Sequence, residues 1–560
     1  MKRFLSLWKY ISTYKLKLAA SLAALAFVSL TSLVYPWLLK LMVDKFSGTS
    51  STDVSMTTLT VLLVIVFLLS TILGYYTFVQ MQELGIILRN NLRSAFYEKL
   101  LYLPLSFYKD RQIGELSSRA TEDISKVQPV FTSLVSPAFQ NILFILGCII
   151  LMLYLNVIAT IIVVALTLLP LPFLVLYSRK IRKLTTKSQA EHAGANALMQ
   201  ETLVGIKEIK SFVLEKLKLT RYKERLDKAS INELEASKYH SKTTQTVYLI
   251  LSVILLGIFF AGTSRTFSPG WSIGSVIAFY FYAYTMTMAF LAAGRVYLFY
   301  QGMAGAADRI LDILEQDITV PGKEIILKSS DFTGKIEFKD VSFSYEENKP
   351  VLTHLSINCD AGDWLLITGA SGSGKSTIAN LIAGLYEPQV GVINVDDISM
   401  KNIDIYGFRK DLGYVTQDPV LFQDSIKENI SLANSSTGEE RFNEALHVCC
   451  LDEFISELPD GLNTIVGERG ITLSGGQKAR IAIARAIISD PALLILDEAN
   501  SMLEPELEKE LWDNLFKDRN GKTTIILSHH FENIPKVYNR FHLSSLNELE
   551  DSSKVSTQGH

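Results

Sequence analysis

Residues Gly369-Ala370-Ser371-Gly372-Ser373-Gly374-Lys375-Ser376 spell G-x-x-x-x-G-K-S, and this octet limits the fold of everything around it. The pattern cradles phosphate only where a buried strand runs into it and a helix leads out. Trp364-Leu365-Leu366-Ile367-Thr368 has the short apolar character of such a strand. Thr377-Ile378-Ala379-Asn380-Leu381-Ile382-Ala383 has the apolar spacing of such a helix. Glycines let the backbone approach phosphate, so that successive N–H groups point at one anion, and the helix start adds partial positive charge. Lys375 is placed to reach the β- and γ-phosphates, and the Ser376 hydroxyl to ligand Mg²⁺. Gly369, Ser371, Gly372, Gly374, Lys375, Ser376 and Thr377 are the candidate nucleotide-binding residues of this stretch. The competing reading, a glycine-rich turn with a surface lysine, does not account for the flanks.

A chain of 560 residues is too long for one domain, and its mean hydropathy of +0.24 is unevenly spread. Long apolar runs fill the first 300 residues, whereas the chain beyond 335 reads as a soluble α/β domain. A net charge of −3 gives no whole-chain electrostatic case for a nucleic-acid partner. The four cysteines have neither metal nor redox spacing and read as inert small hydrophobes.

Six runs suit membrane spans of about 20 residues, enough for a hydrocarbon core of about 30 Å: 18–41, 59–79, 131–154, 157–177, 244–264 and 273–293. Apart from Lys40, next to the end of the first, they hold no Asp, Glu, Lys, Arg or His. Ion-coupled carriers usually need an ionisable group inside the membrane, so the energy is expected to come from ATP at the P-loop. Lys2, Arg3, Lys9, Lys15 and Lys17 place the N-terminus in the cytoplasm, and the N-terminal region reads as a first span rather than a cleaved leader. An even number of spans returns the C-terminal domain to the same side. The segments between spans two and three, and four and five, are long, basic and helical in pattern, so those spans should continue as helices below the membrane. Their interruptions, from Pro104 to Gly114 and near 205–212, are candidate contact points.

In the soluble half, Leu493-Leu494-Ile495-Leu496-Asp497-Glu498 reads as a buried parallel strand delivering two acids to the edge where ligands bind. Asp497 would hold Mg²⁺ and Glu498 would polarise the attacking water. Tyr345, shortly upstream of the P-loop, is either an adenine-stacking ring or an ordinary strand aromatic. Leu473-Ser474-Gly475-Gly476-Gln477 opens a second helix with anion-binding character, which suggests a composite site shared between two copies.

These motifs, in this order, resemble those of the ABC transporters, specifically a half-transporter of the exporter type, and the likeness covers essentially the whole chain. It implies Walker A at 369–377, the LSGGQ signature at 473–477 with Ser474, Gly475, Gly476 and Gln477 facing nucleotide, and Walker B ending at Asp497. It also makes Tyr345 the adenine-stacking aromatic, Gln417 the Q-loop residue near Mg²⁺, Glu498 the catalytic carboxylate and His529 the switch histidine. The stretch around 107–119 resembles a first coupling helix and 201–215 a second. Two positions depart from the family pattern: Glu504 stands where Asp is usual, and His530 follows His529 where Arg is usual.

The fold expected is multidomain: an all-α six-span domain over 1–315, a linker at 316–334, and an α/β P-loop ATPase domain over 335–560. The function implied is ATP-driven export or flipping of an amphipathic peptide, lipid or drug-like substrate by alternating access. Each ATP with its Mg²⁺ would lie between Walker A of one copy and Ser474 of the other. The implied setting is the bacterial cytoplasmic membrane, in contact with its lipid, and a pair of identical chains is expected, with a mixed pair as the alternative. An importer on the same fold and a membrane-tethered ATPase that moves nothing are the rival readings.

Overall fold

The computed structural model describes residues 6–48, 54–109, 111–168, 171–263, 271–316, 332–346, 349–434, 437–467, 473–499, 503–529, 534 and 539–543. The 317–331 part of the linker, His530, and positions 468–470 before the signature lie outside them. The chain forms two compact units: residues 1–101 with 114–316, and residues 102–113 with 317–560.

The first unit is helical. Its main helices are α1 (Lys15–Phe46), α2 (Met56–Tyr102), α3 (Ser136–Leu155), α4 (Val157–Leu168), α5 (Leu171–Val204), α6 (Glu215–Thr263) and α7 (Ile273–Leu314). Among the described residues, four helical stretches are long and apolar enough to cross a membrane: Ser12–Phe46, Met56–Tyr102, Ile113–Leu155 and Ile273–Leu314. The other two expected spans fall on α4 with the start of α5 and on the end of α6, with 169–170 and 264 outside the described residues. Helix α2 is one run of 47 residues and α6 one of 49. At about 1.5 Å per residue each is roughly twice the length a hydrocarbon core requires, so both continue beyond it, as the helical pattern predicts. The interruptions fall at Leu103–Leu105, before a short helix Ser106–Lys109, and at Gly205, between α5 and the helix Ile206–Ser211.

Helices α1, α3, α4 and α7 share a core of Leu33, Cys148, Met152, Val163, Phe279, Tyr282 and Met286. Close approach of α1 and α3 depends on Gly147, where a Cβ would lie 2.2 Å from Leu33 Cδ1. The Tyr282 hydroxyl donates to Leu33 O at 2.8 Å, three residues before Pro36. Of the aromatics in the sixth span, Phe279 and Tyr282 are core, while Phe281 and Tyr284 remain exposed.

The reading of the spans as carrying no working charge is refined at Lys40. Helix α1 runs on past the expected limit, and Lys40 pairs at 3.2 Å with Asp44 one turn later. Asp44 is 5% exposed, and its Oδ1 accepts from Gly274 N at 3.0 Å in the first turn of α7. A Cβ on Gly274 would meet Lys40 O at 2.3 Å, so a glycine lets the two helices touch at this point.

The second unit holds two sheets. A four-stranded antiparallel sheet has the order β2-β1-β4-β5, from Lys349–Cys359, Ile336–Glu346, Val390–Val395 and Ile398–Ser399. A five-stranded parallel sheet has the order β6-β7-β8-β3-β9, from Leu412–Val415, Leu493–Asp497, Thr523–Leu527, Trp364–Gly369 and Asn539–Leu543. The near-continuous apolar runs of β3, β7 and β8 follow from cover on both faces. Leu366, Leu494, Leu496 and Ile526 enter one core, and Leu365, Ile367, Leu493, Ile495, Ile525 and Leu527 the other. Cys359 and Cys449 are buried in these cores. Burial, then the charges of Asp363 and Asp360, pushes the Cys359 thiol up to about 12, and burial likewise raises that of Cys449. Both remain protonated at neutral pH.

Asp44→Ala tests the α1–α7 contact. It leaves the Gly274 N–H and Lys40 short of partners, each unmade bond costing about 1–3 kcal/mol. Thermal unfolding of the purified protein in lipid nanodiscs should shift down by several degrees, and Asp44→Asn, which still accepts a hydrogen bond, should shift less.

Candidate nucleotide site

The order of the parallel sheet decides what meets at its carboxyl edge. Strand β6 leads to Gln417, β7 ends in Asp497 with Glu498 directly after it, β8 leads to Ser528 and His529, and β3 runs into the glycine loop. These four chain stretches are distant in sequence and adjacent at one edge, the position where open α/β sheets bind ligands.

The loop needs its glycines. Gly372 and Gly374 have φ of +79° and +103°, and a Cβ on Gly369 would lie 2.6 Å from Leu543 O and 2.8 Å from Ser373 Oγ. Helix α8 (Lys375–Ile382) starts directly after Gly374. Lys375, 4% exposed, donates from Nζ to Gly369 O at 2.9 Å and Ala370 O at 3.0 Å. The Ser373 hydroxyl is buried with no hydrogen-bond partner among the described residues, and Thr377 N donates to Gly374 O at 3.1 Å.

Glu498 is the point of convergence. Its Oε2 accepts from Gln417 Nε2 at 2.7 Å, its Oε1 lies 3.2 Å from His529 Nδ1, and Lys375 Nζ stands 3.7 Å from the same Oε1. Its backbone takes a left-handed φ of +50°, anchored by Glu498 N donating to Leu527 O at 2.8 Å. A non-glycine residue in that region is strained, a cost that functional sites commonly carry. Next to it Asp497 is 2% exposed, and its Oδ1 has no hydrogen-bond partner among the described residues. Burial pushes the Asp497 carboxyl above the usual range, and the Ser376 hydroxyl pulls it back. The Glu498 charge raises it again and Lys375 lowers it. An unpartnered buried carboxylate oxygen beside a serine hydroxyl is the donor chemistry of a small hard cation such as Mg²⁺.

Tyr345 closes another side. Its ring meets Phe343 and Tyr386 edge-on at centroid distances of 4.8 and 5.1 Å, and its hydroxyl accepts from Asn380 Nδ2 at 3.3 Å. Lys109 lies 5.4 Å over that ring and pairs with Glu346 at 3.3 Å. The sequence reading missed Asn380, Tyr386 and Lys109 as neighbours of the site. Asn380 had a visible signal, a polar residue in the otherwise apolar run that follows the P-loop.

Among the described residues, no hydrogen bond or ion pair joins the signature residues to this cluster. Ser474 caps helix α9 (Gly475–Ile487): its Oγ accepts from Gln477 N at 3.2 Å, and the Gln477 side chain accepts from Ser474 N at 2.9 Å. This capping box fixes the loop while leaving the serine hydroxyl proton free to donate. Glu504 precedes helix α10 (Pro505–Asp518), is exposed, and makes no side-chain cap bond.

Residues 18–290 match the family model described as the ABC transporter transmembrane region, and residues 352–501 match the model described as ABC transporter. The chain belongs to the ABC transporter family. It is 29% identical over 536 residues to an ATP-dependent lipid A-core flippase of Desulfotalea psychrophila, covering 94% of this chain and 92% of that one. It is 30% identical over 526 residues to ABC transporter B family member 1 of Dictyostelium discoideum, covering 92% of this chain and 57% of that longer one. Its fold matches that of a bacterial Atm1-family ABC exporter with ATP bound, with a TM-score of 0.81 at 21% identity over 98% of this chain and all of that one. This ABC transporter is therefore a multi-pass integral membrane protein with a nucleotide-hydrolysing domain.

Lys375→Ala removes the cation at the loop. Charge-assisted bonds contribute about 1.5–3 kcal/mol each, so the affinity of the full-length transporter for a fluorescent ATP analogue should fall tenfold or more. Wild-type affinity would show that phosphate binds elsewhere.

Proposed function

We propose that this ABC transporter is one half of a homodimeric, ATP-driven exporter or flippase for an amphipathic substrate, with lipid the class taken from its flippase relative. The observation that carries the ATPase part is the convergence of Gln417, His529 and Lys375 on the Glu498 carboxylate beside buried Asp497. The lipid assignment draws on the Desulfotalea relative, a lipid A-core flippase, and on spans whose Lys40 charge is internally paired.

In this reading Gly369, Ser371, Gly372, Gly374 and Thr377 shape the phosphate cradle, Lys375 offsets charge on the β- and γ-phosphates, and Tyr345 stacks on the base. Ser376, Asp497 and Gln417 would hold Mg²⁺, which when bound neutralises charge building on the phosphates. Glu498 accepts a hydrogen bond from the attacking water and orients it. His529, on the other carboxylate oxygen, steadies Glu498 and faces the γ-phosphate. Lys375 moves from the loop carbonyls to phosphate as ATP binds. The free hydroxyl proton of Ser474, with Gly475, Gly476 and Gln477, serves the nucleotide of the second copy. ATP thus binds the paired state better than the separated one and shifts the population towards it.

Three measurements test this. Glu498→Gln should keep ATP affinity and lose about a hundredfold or more in turnover. Wild-type turnover would move the catalytic role to another group. In proteoliposomes of bacterial lipid, a fluorescent phospholipid should cross leaflets with ATP and not in Glu498→Gln. Unchanged ATP turnover with every lipid, and no movement of lipid, would favour a membrane-tethered ATPase. At the dimer seam, Glu504→Asp should leave turnover equal or raised, because the shorter carboxylate has one fewer rotatable bond to order. Glu504→Ala should slow turnover, and wild-type behaviour of that variant would return Glu504 to a solvated surface role.

A further inference from the structure

Asn380 lies in the second turn of α8, five residues after Lys375, with buried Ile378, Ala379, Leu381 and Ile382 around it in sequence. Its amide bridges two phenols. Nδ2 donates to the Tyr345 hydroxyl at 3.3 Å, and Oδ1 accepts from the Tyr414 hydroxyl at 3.2 Å. A phenol can both donate and accept, so the bridge holds in either orientation of the amide.

The two phenols belong to different parts of the site. Tyr345 is the penultimate residue of β1 and carries the ring whose edges pack on Phe343 and Tyr386. Tyr414 is on β6, pairs in register with Ile495 of β7, and precedes by three residues the Gln417 that holds Glu498. Burial, and then the Asp497 charge, pushes the Tyr414 hydroxyl up, so it stays neutral and able to donate. The base-side ring, the P-loop helix and the strand leading to Gln417 are therefore linked through one side chain.

We propose that Asn380 is a positioning residue of the nucleotide site: it holds the Tyr345 ring at the angle that accepts a base, and ties that angle to α8 and β6. The proposal rests on the reading of Tyr345 as the base-stacking ring. The ring body is packed by aromatic edges with Lys109 over its face, and its far end is held by the hydroxyl bond to Asn380. Losing that bond lets the ring sample other angles, which weakens base stacking and leaves phosphate binding untouched.

The test compares MgATP with inorganic Mg-triphosphate, which has no base, on the full-length transporter in nanodiscs. Asn380→Leu, close in volume and without the amide, should weaken ATP binding about three- to tenfold, the size expected for one or two hydrogen bonds, and change triphosphate binding less than twofold. KM for ATP should rise more than maximal turnover falls. Tyr345→Phe, which keeps the ring and folds with one oxygen fewer, should show part of the same loss. Asn380→Leu combined with Tyr345→Phe should be no weaker than Asn380→Leu alone. Equal weakening for ATP and triphosphate would make Asn380 a prop for the helix and overturn the proposal. Wild-type ATP affinity in both Asn380→Leu and Tyr345→Phe would also overturn it, and in that case a loss in Tyr345→Ala would leave the stacking reading intact. Wild-type affinity in Tyr345→Ala would instead remove the stacking reading itself.

Discussion

A buried carboxylate with an unpartnered oxygen is the constraint on which the nucleotide site depends. Asp497 sits at the end of a strand covered on both faces, where an ionised group is costly unless paired. The fold offers it the Ser376 hydroxyl and the nearby Lys375, and not a full partner. The neighbours follow from this position. Placing Asp497 at the edge brings Glu498 out of the strand, and the left-handed turn there aims its carboxylate at Gln417 and His529. Sheet order supplies both partners, because β6 and β8 flank β7.

The local parts of this arrangement were legible in the sequence, because each is a requirement on a few adjacent residues. Positive φ at Gly372 and Gly374, a capped helix at Ser474 and an apolar strand ending in acids are all written in short stretches. The glycine loop, the helix after it and the strand before it stand where the pattern put them. What the sequence did not show is made by contacts across long separations. Asn380 meets Tyr345 and Tyr414 across 35 and 34 positions, and each residue alone reads as an ordinary strand or helix side chain. Strand β9 at Asn539–Leu543 is a sheet edge partner of β3 with no motif of its own, yet its Leu543 backbone sets the space that excludes a Cβ at Gly369.

In the membrane unit the legible feature was hydropathy, and its limit was the end of a run. An apolar window stops where charge begins, so Lys40 and Asp44 fall at the margin of the first span, although the helix continues through both. One helical turn apart, they face the same side and pair. Asp44 gains a second role at the start of α7 through Gly274, which no window over a single helix can reveal.

That pair bears on where the energy for transport comes from. A coupling group must exchange a proton or an ion during the cycle, and so must be able to lose its partner. Asp44 is held by Lys40 one turn away in α1 and by the Gly274 N–H at the start of α7. A charge so committed stabilises the helix ends and is a poor carrier. With the remaining expected spans free of Asp, Glu, Lys, Arg and His, the proposed function draws its energy from the nucleotide-binding domain, and the Glu498–Asp497 cluster is the site proposed to release it.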